Sequence, residues 1–526
     1  MKLLLRLNLA FTLAVLALFT LQTTAYALGT GSDNSIKFGA KDSFIGGGKG
    51  NKILTNSIDS AIVGGDTNII ENDSRYAFIG GGYKNTNSGE ASTVGGGFQN
   101  NAGSSWATVA GGFQNTASNT ATVGGGAFNT ASGYEAIVGG GDYNTASGVC
   151  SFIGGGGYDG STIDGNTNQG NAAAIVGGLG NVIQTNAGYS FIGGGQYNIA
   201  SGAFATLGGG YGNTNSGLWA TVGGGWDNTC SGTWATVGGG SGNIASSYNA
   251  TVSGGGRNIA SGYIATVGGG SGNTAGATWA TVSGGVLNNA SGFGSFIGGG
   301  GFNGITFNGN TNQGDAAAIV GGQGNYIGTN GTYAFIGGGA YNTASGAYSF
   351  AGGEQANATS TGSFVWSDGT SALTDNGDDS FTARASGGFV FLTGSSSGAD
   401  LPAGSGSWSS LSDRNAKDDI APANPETVLA SVAALPMSTW SYKTEHGVRH
   451  IGPMAQDFYA AFNVGEDSRH IADVDEGGVA LAAIQGLNQK LDAKDAEIAD
   501  LKKQNDALAQ RLDELEETVN KLAGRN

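Results

Sequence analysis

The sequence predicts a mainly β protein. A parallel β-roll or β-solenoid of roughly 15-residue coils comes first, followed by a small α+β segment that ends in a coiled coil. Three observations carry this reading. Glycine supplies 102 of the 526 residues and proline only 5. An aliphatic residue followed by Gly-Gly-Gly returns at a fixed short period through the middle of the chain. From residue 481 onward, apolar residues recur at heptad spacing.

Composition excludes several classes. Glycine at this level without a G-X-Y triplet, and with so little proline, is not collagen. A charged fraction of 12% beside a hydrophobic fraction of 39% does not describe a solvated disordered polymer. The net charge of −17 argues against a nucleic-acid partner, which needs clustered Lys and Arg. Two cysteines cannot build a disulfide scaffold. Charge also divides the chain: residues 1–410 hold 10 Lys/Arg and 19 Asp/Glu, and residues 411–526 hold 12 and 20. The histidines, His446, His450 and His470, all fall in that last part. Two unlike parts therefore meet near residue 410.

Residues 1–27 read as an export signal. Lys2 and Arg6 precede an apolar run from Leu7 to Leu21, and Ala25-Tyr26-Ala27 matches the small-x-small cleavage pattern, placing the cut between Ala27 and Leu28. The run is shorter than the roughly 20 residues a spanning helix needs, and no other segment reads as a membrane helix. The expected location is secreted or at the cell surface.

Residues 28–362 form the repeat region. Val94, Val109, Val123, Val138 and Ile153 precede glycines at spacings of 15, 14, 15 and 15; Leu207, Val222, Val237, Val252, Val267, Val282 and Ile297 follow at a strict 15. Such a period means stacked coils, each contacting only its neighbours. A longer coil, GYDGSTIDGNTNQGNAAAIVGG from Gly157, returns 144 residues later, with Val176 matching Val320; a degenerate copy surrounds Ile45, Val63 and Ile79. With the aliphatic residue inward, period-2 alternation also turns inward the residue two before it: Ala107, Ala205, Ala220 and Ala235. Gly-Gly-Gly supplies positive φ and close approach at a corner. The recurrent Asn suits a turn and could stack as a ladder.

Three before the aliphatic residue, facing out, stand Trp106, Phe204, Trp219, Trp234, Ile264 and Trp279. This row suits stacking on sugars or docking a partner, with Trp106, Trp219, Trp234 and Trp279 as surface-binding candidates; the other reading buries it between subunits. The neighbouring threonine row (Thr93, Thr108, Thr206, Thr221, Thr236, Thr251) is interrupted by large aromatics and is not expected to bind ice. No metal or cofactor site is expected: the G-x-G-x-x-G matches open no amphipathic helix, and the repeated position of a calcium roll holds Asn where an acid is needed. Cys150 and Cys230, about five coils and roughly 25 Å apart, read as lone apolar residues beyond disulfide reach. The acids Glu90, Glu135, Asp142, Asp159, Asp164, Asp227 and Asp315 are scattered, without the evident pair glycoside cleavage requires.

Units such as Gly141-Asp142-Tyr143-Asn144-Thr145-Ala146-Ser147-Gly148 resemble the head repeats of trimeric autotransporter adhesins, the YadA-like left-handed β-roll. That resemblance implies a trimeric head used for attachment. Residues 363–410 read as a linker with strand-like pieces. Leu411-Ser412-Asp413-Arg414-Asn415-Ala416-Lys417, Gly452-Pro453-Met454-Ala455-Gln456 and the following helix, together about 410–500, resemble the peptidase S74 family, the intramolecular chaperone at the end of phage tail spikes and endosialidases. The resemblance implies that three such domains, here residues 411–480, help the preceding β-structure trimerise and then cut themselves off. It makes Ser412 the nucleophile, Lys417 its general base and Leu411–Ser412 the scissile bond. The chemistry stands by itself: a hydroxyl needs an adjacent base, and a desolvated lysine can serve. The histidines lack metal-ligand spacing and are expected to pack or hydrogen-bond.

Residues 481–526 carry the coiled coil. Ile484, Leu491, Ile498, Asn505, Leu512 and Val519 hold one core position; Leu487, Lys494, Leu501, Leu508, Leu515 and Leu522 hold the other. Three strands follow from the two resemblances, not from the heptads. The resulting expectation is an exported homotrimeric fibre whose head attaches to a glycan or protein receptor, and whose only enzymatic act is cutting itself. The alternatives are a polysaccharide-degrading tail-spike-like enzyme or a prophage tail fibre.

Overall fold

The computed structural model describes residues 27–28, 31–394 and 398–524. The chain forms two units, one running to Arg384 and one starting at Ala385. Of the expected leader, residues 1–27, all but Ala27 lie outside the described residues. Ala27–Leu28 form the first short strand and pair with Phe44–Ile45, so the expected leader cleavage falls inside that strand.

The first unit is a parallel solenoid of about 23 turns. Two stacks of two-residue strands run through it, each strand pairing in parallel with its counterparts one coil before and after. Thr221–Val222 lies between Thr206–Leu207 and Thr236–Val237. Thr229–Cys230 lies between Thr214–Asn215 and Ile244–Ala245. Coils rising about 4.8 Å each make the unit roughly 105 Å long. One strand of each coil turns its aliphatic residue inward and the other usually turns in a small residue, so Ala220, Val222 and Cys230 stack on Ala235, Val237 and Ala245, while Ile53, Ile70, Ile183 and Ile327 take the small residue's place in four coils, all fully buried. The expected inward alanines are in the core.

Three expected inward positions are not. Val63, Val176 and Val320 are about half exposed (50%, 50% and 49%), while Ile62, Ile175 and Ile319 are fully buried. In these coils an Ile-Val pair precedes only two glycines, and the valine stands where other coils have the first glycine. The stack also continues past residue 362: Phe350–Ala358, Phe364–Thr374 and Phe381–Arg384 extend the parallel pairing to Arg384, through half of the segment read as a linker. The extra residues of the long coils make small protruding hairpins, closed by Tyr158 opposite Ile163 and by Phe302 opposite Phe307.

The recurrent asparagine is a buried ladder. Asn213 is typical: its backbone N–H donates to Asn198 Oδ1 at 3.0 Å, and its own Oδ1 accepts from the Asn228 N–H at 2.9 Å. Its Nδ2 donates to the carbonyls of Gly209 in its own corner and Gly225 in the next coil, both at 2.9 Å. The ladder runs from Asn34 to Asn342, whose Oδ1 accepts from Ala356 N–H. The corner glycine makes room for it. Gly225 sits at φ +95°, and a Cβ there would lie 2.2 Å from the Gly240 carbonyl and 2.7 Å from Asn228 Nδ2.

The last full coil lacks a successor to accept its turn N–H groups. One coil earlier, Ser345 and Gly346 donate to the Ala358 carbonyl of the next coil. The equivalent N–H groups of Thr359 and Ser360 donate to the Asp375 carboxylate, and Thr361 donates to Asp378 at 2.9 Å. Burial works against the Asp375 charge. Donors from Ser360, Thr359 and Gly377 outweigh it and hold the carboxyl down at about 2.

Asn228→Ala leaves the Asn243 N–H and the Gly224 carbonyl without partners, takes one of two donors from the Gly240 carbonyl, and is expected to destabilise the solenoid by about 2–4 kcal/mol. Thr221→Ala, on the outer face, should change stability by less than about 0.5 kcal/mol; chemical denaturation of both variants checks the contrast. Because the Asp375 carboxyl is depressed in the fold, its contribution is present above its ordinary value of 3.8 and lost as pH falls toward about 2. Amide exchange at 359 and 360 should therefore lose protection across that window, and Asp375→Asn should remove the pH dependence.

Candidate functional site

The second unit opens with a three-stranded antiparallel sheet of Gly388–Leu392, Gly398–Pro402 and Ser409–Ser410. Leu411 and Ser412 follow the last strand directly. A single 3-10 turn, Arg414–Ala416, then folds the chain back. Asp413 caps it: its Oδ1 accepts from the Asn415 N–H at 2.9 Å and from Asn415 Nδ2 at 3.1 Å. The Lys417 N–H closes onto the Arg414 carbonyl at 3.3 Å. Lys417 leaves the turn extended, and its Nζ reaches Ser412 Oγ at 2.7 Å.

The expected nucleophile and base are thus in contact. Ser412, Lys417 and the Leu411 side chain are all exposed in the single chain. In this geometry the Lys417 ammonium donates to the Ser412 hydroxyl. A general base must instead accept the Ser412 hydroxyl proton, so the chemistry needs the neutral amine, which a dry surrounding favours.

Among the described residues, three helices complete the unit: α1 (Pro425–Ala434), α2 (Ala455–Phe462) and α3 (Asp473–Ala523). Asn424 caps α1, its Oδ1 accepting from the N–H groups of Glu426 and Thr427 at 3.0 and 3.1 Å. Helix α1 packs on α3 at Gly486, where a Cβ would lie 2.2 Å from the Pro425 carbonyl; only glycine lets the two backbones approach so closely. A hairpin of Ser438–Trp440 and His450–Gly452 precedes α2. His450 stacks on Trp440 with ring centroids 4.7 Å apart and its Nε2 lies 3.0 Å from Glu445 Oε2, while His470 lies 3.0 Å from Asp467. These two histidines serve packing and hydrogen bonds.

Residues 412–464 match the family model Peptidase S74, chaperone of endosialidase. The match begins at Ser412 and ends just beyond α2. No curated protein matches the chain. A chaperone segment of this kind after a β-solenoid is consistent with a protein of the tail-fibre or spike kind.

The remaining expected residues lie in the solenoid. Trp106, Trp219, Trp234 and Trp279 are exposed, at 65%, 49%, 49% and 52%. They do not face out by strand alternation, as expected, but stand on the turn that precedes the strand, each with φ between 58° and 64°. Cys230 is buried and free, its thiol pushed up to about 12 by burial. Cys150 is also free but exposed, 3.8 Å from Glu135 Oε2. The sequence reading missed Asp413 and Gly486. The first was legible as an Asx cap two residues before Asn415, whereas the second depends on a helix contact across 60 residues.

Proposed function

We propose that this chain is an exported trimeric fibre whose solenoid attaches to a surface glycan or protein receptor. Its residues 411–480 assist assembly, and the chain from Ser412 onward then parts from the solenoid by cleavage of Leu411–Ser412. The observation that carries the reading is the 2.7 Å contact between Lys417 and Ser412 at the start of a segment matching the chaperone of endosialidase.

Cleavage follows from that geometry. Neutral Lys417 takes the Ser412 Oγ proton while Oγ attacks the Leu411 carbonyl carbon. The Leu411–Ser412 amide bond breaks, its nitrogen receives the proton from Lys417, and the chain is joined through an ester at Oγ. Water hydrolyses the ester, leaving a Leu411 carboxylate and a free Ser412 amine and hydroxyl. Association of copies around the exposed dyad would exclude water and favour the neutral lysine. The apolar seam of α3 supports such association: Ile484, Leu487, Leu491 and Leu515 are all exposed in one chain. Export rests on the three-part leader pattern.

Attachment is favoured over glycan cleavage by what the acids of the long coils do. Asp159 Oδ1 accepts from the N–H groups of Ser161 and Thr162; 144 residues on, Asn303 Oδ1 accepts from Ile305 and Thr306 in the same way. Asn171 Oδ1 accepts from Val149 N–H, and its counterpart Asp315 accepts from Phe293 N–H. An amide does each job as well as the acid, which is turn closure and not proton transfer.

In the wild-type chain, intact mass and N-terminal sequencing are expected to find a fragment beginning at Ser412. Ser412→Ala and Lys417→Ala should remain whole, with cleavage at least a hundredfold slower. The wild-type rate should rise with pH, because the base acts only unprotonated. A fragment that persists in both variants, or a rate that falls with pH, overturns the dyad.

A further inference from the structure

We propose that the turn row of the solenoid from Tyr189 to Phe293 is the face through which copies of this chain pack side by side. This inference rests on the trimer proposed above and goes on to assign its contact face.

The backbone of this turn is strained. Each coil puts one turn residue in the left-handed region, which glycine and asparagine occupy at least strain. Yet Tyr189, Phe204, Trp219, Trp234, Ile264 and Trp279 fill it, with φ from 55° to 60°. A β-branched or aromatic residue there costs on the order of 1 kcal/mol or more per coil. Two coils relax the slot, to Asn249 and Gly294, and in both a ring appears one residue earlier, at Tyr248 and Phe293. Tyr248 then lies 5.1 Å from Trp234 and 5.1 Å from Tyr263, and Phe293 lies 4.9 Å from Trp279. The ring row is thus kept through eight successive coils, roughly 34 Å at strand spacing, even where the backbone slot is given up.

Charge and ring geometry select the occupant. The only charged residues from 189 to 293 are Asp227 and Arg257, both at the glycine corner and not on this turn. An anionic or cationic partner finds nothing to pair with. A saccharide platform needs free ring faces, but Tyr189, Phe204 and Trp219 spend theirs on one another, with centroids 5.0 and 3.8 Å apart and planes within 6°. What remains is a straight apolar row of ring edges repeating at the coil rise. A second copy, held parallel and in register by the α3 seam, presents the same repeat and no charge. Trp106 stands outside this run and keeps its place as a candidate for surface attachment.

Hydroxyl-radical footprinting of the assembled full-length protein, read by mass spectrometry beside its native mass, tests this. Trp226, 59% exposed at the glycine corner, is the internal reference. The expected result is a trimer in which Trp219, Trp234 and Trp279 oxidise at least tenfold more slowly than Trp226. A trimer in which all four oxidise at similar rates overturns the face assignment and leaves the trimer standing. A monomer overturns both. Protection that appears only on adding a neutral polysaccharide such as dextran gives the row to a ligand and overturns the proposal.

Discussion

From coil to coil between Asn51 and Asn325 one asparagine amide ties three things together: the N–H of the next asparagine, the carbonyl of its own glycine corner and the corner of the following coil. The core on its own would be weak, since a coil buries little more than two small side chains and one aliphatic one. Polar groups that would be a liability in so narrow an interior are instead paired along the whole axis. Glycine at the corner is the condition for this, because any Cβ there would collide with the carbonyl the amide must reach. High glycine, low charge and the strict period are all consequences of that one interlock.

The same logic explains the ends and the irregularities. A ladder of coils has no closing strand, so its last N–H groups need acceptors, and the Asp375 and Asp378 carboxylates take the part of the missing coil. Insertions are tolerated at the corner because they can leave the stack as hairpins and return without shifting the asparagine register; the Asn166 N–H still donates to Asn144 Oδ1 across 22 residues. Duplication of the long coil then let acids and amides exchange freely at its turns, since both serve as acceptors.

Much of this was legible in the sequence. Strict spacing marked the coils, and period 2 placed alanine and valine inward. The reading went wrong where two signals disagreed. Val63, Val176 and Val320 follow an isoleucine and precede glycine, so a rule keyed to the last aliphatic residue before glycine chose the wrong one. The solenoid seemed to stop at 362 because Gly-Gly-Gly becomes Gly-Gly-Glu at 352–354, while the backbone pairing continued without it. The aromatic turn residues were rightly placed outside, but their left-handed backbone has no sequence signature when the slot holds tryptophan. In the second unit, a spacing of five allowed the serine–lysine contact; the Asp413-capped turn is what makes it.

In the proposed function the solenoid is the lasting product and the C-terminal unit is the device that assembles and then leaves it. Native mass spectrometry of the purified protein weighs that claim most directly. The account predicts an assembly of exactly three solenoid chains, each ending at Leu411, that stays together after the C-terminal fragment is lost. A particle of one uncleaved chain would contradict it.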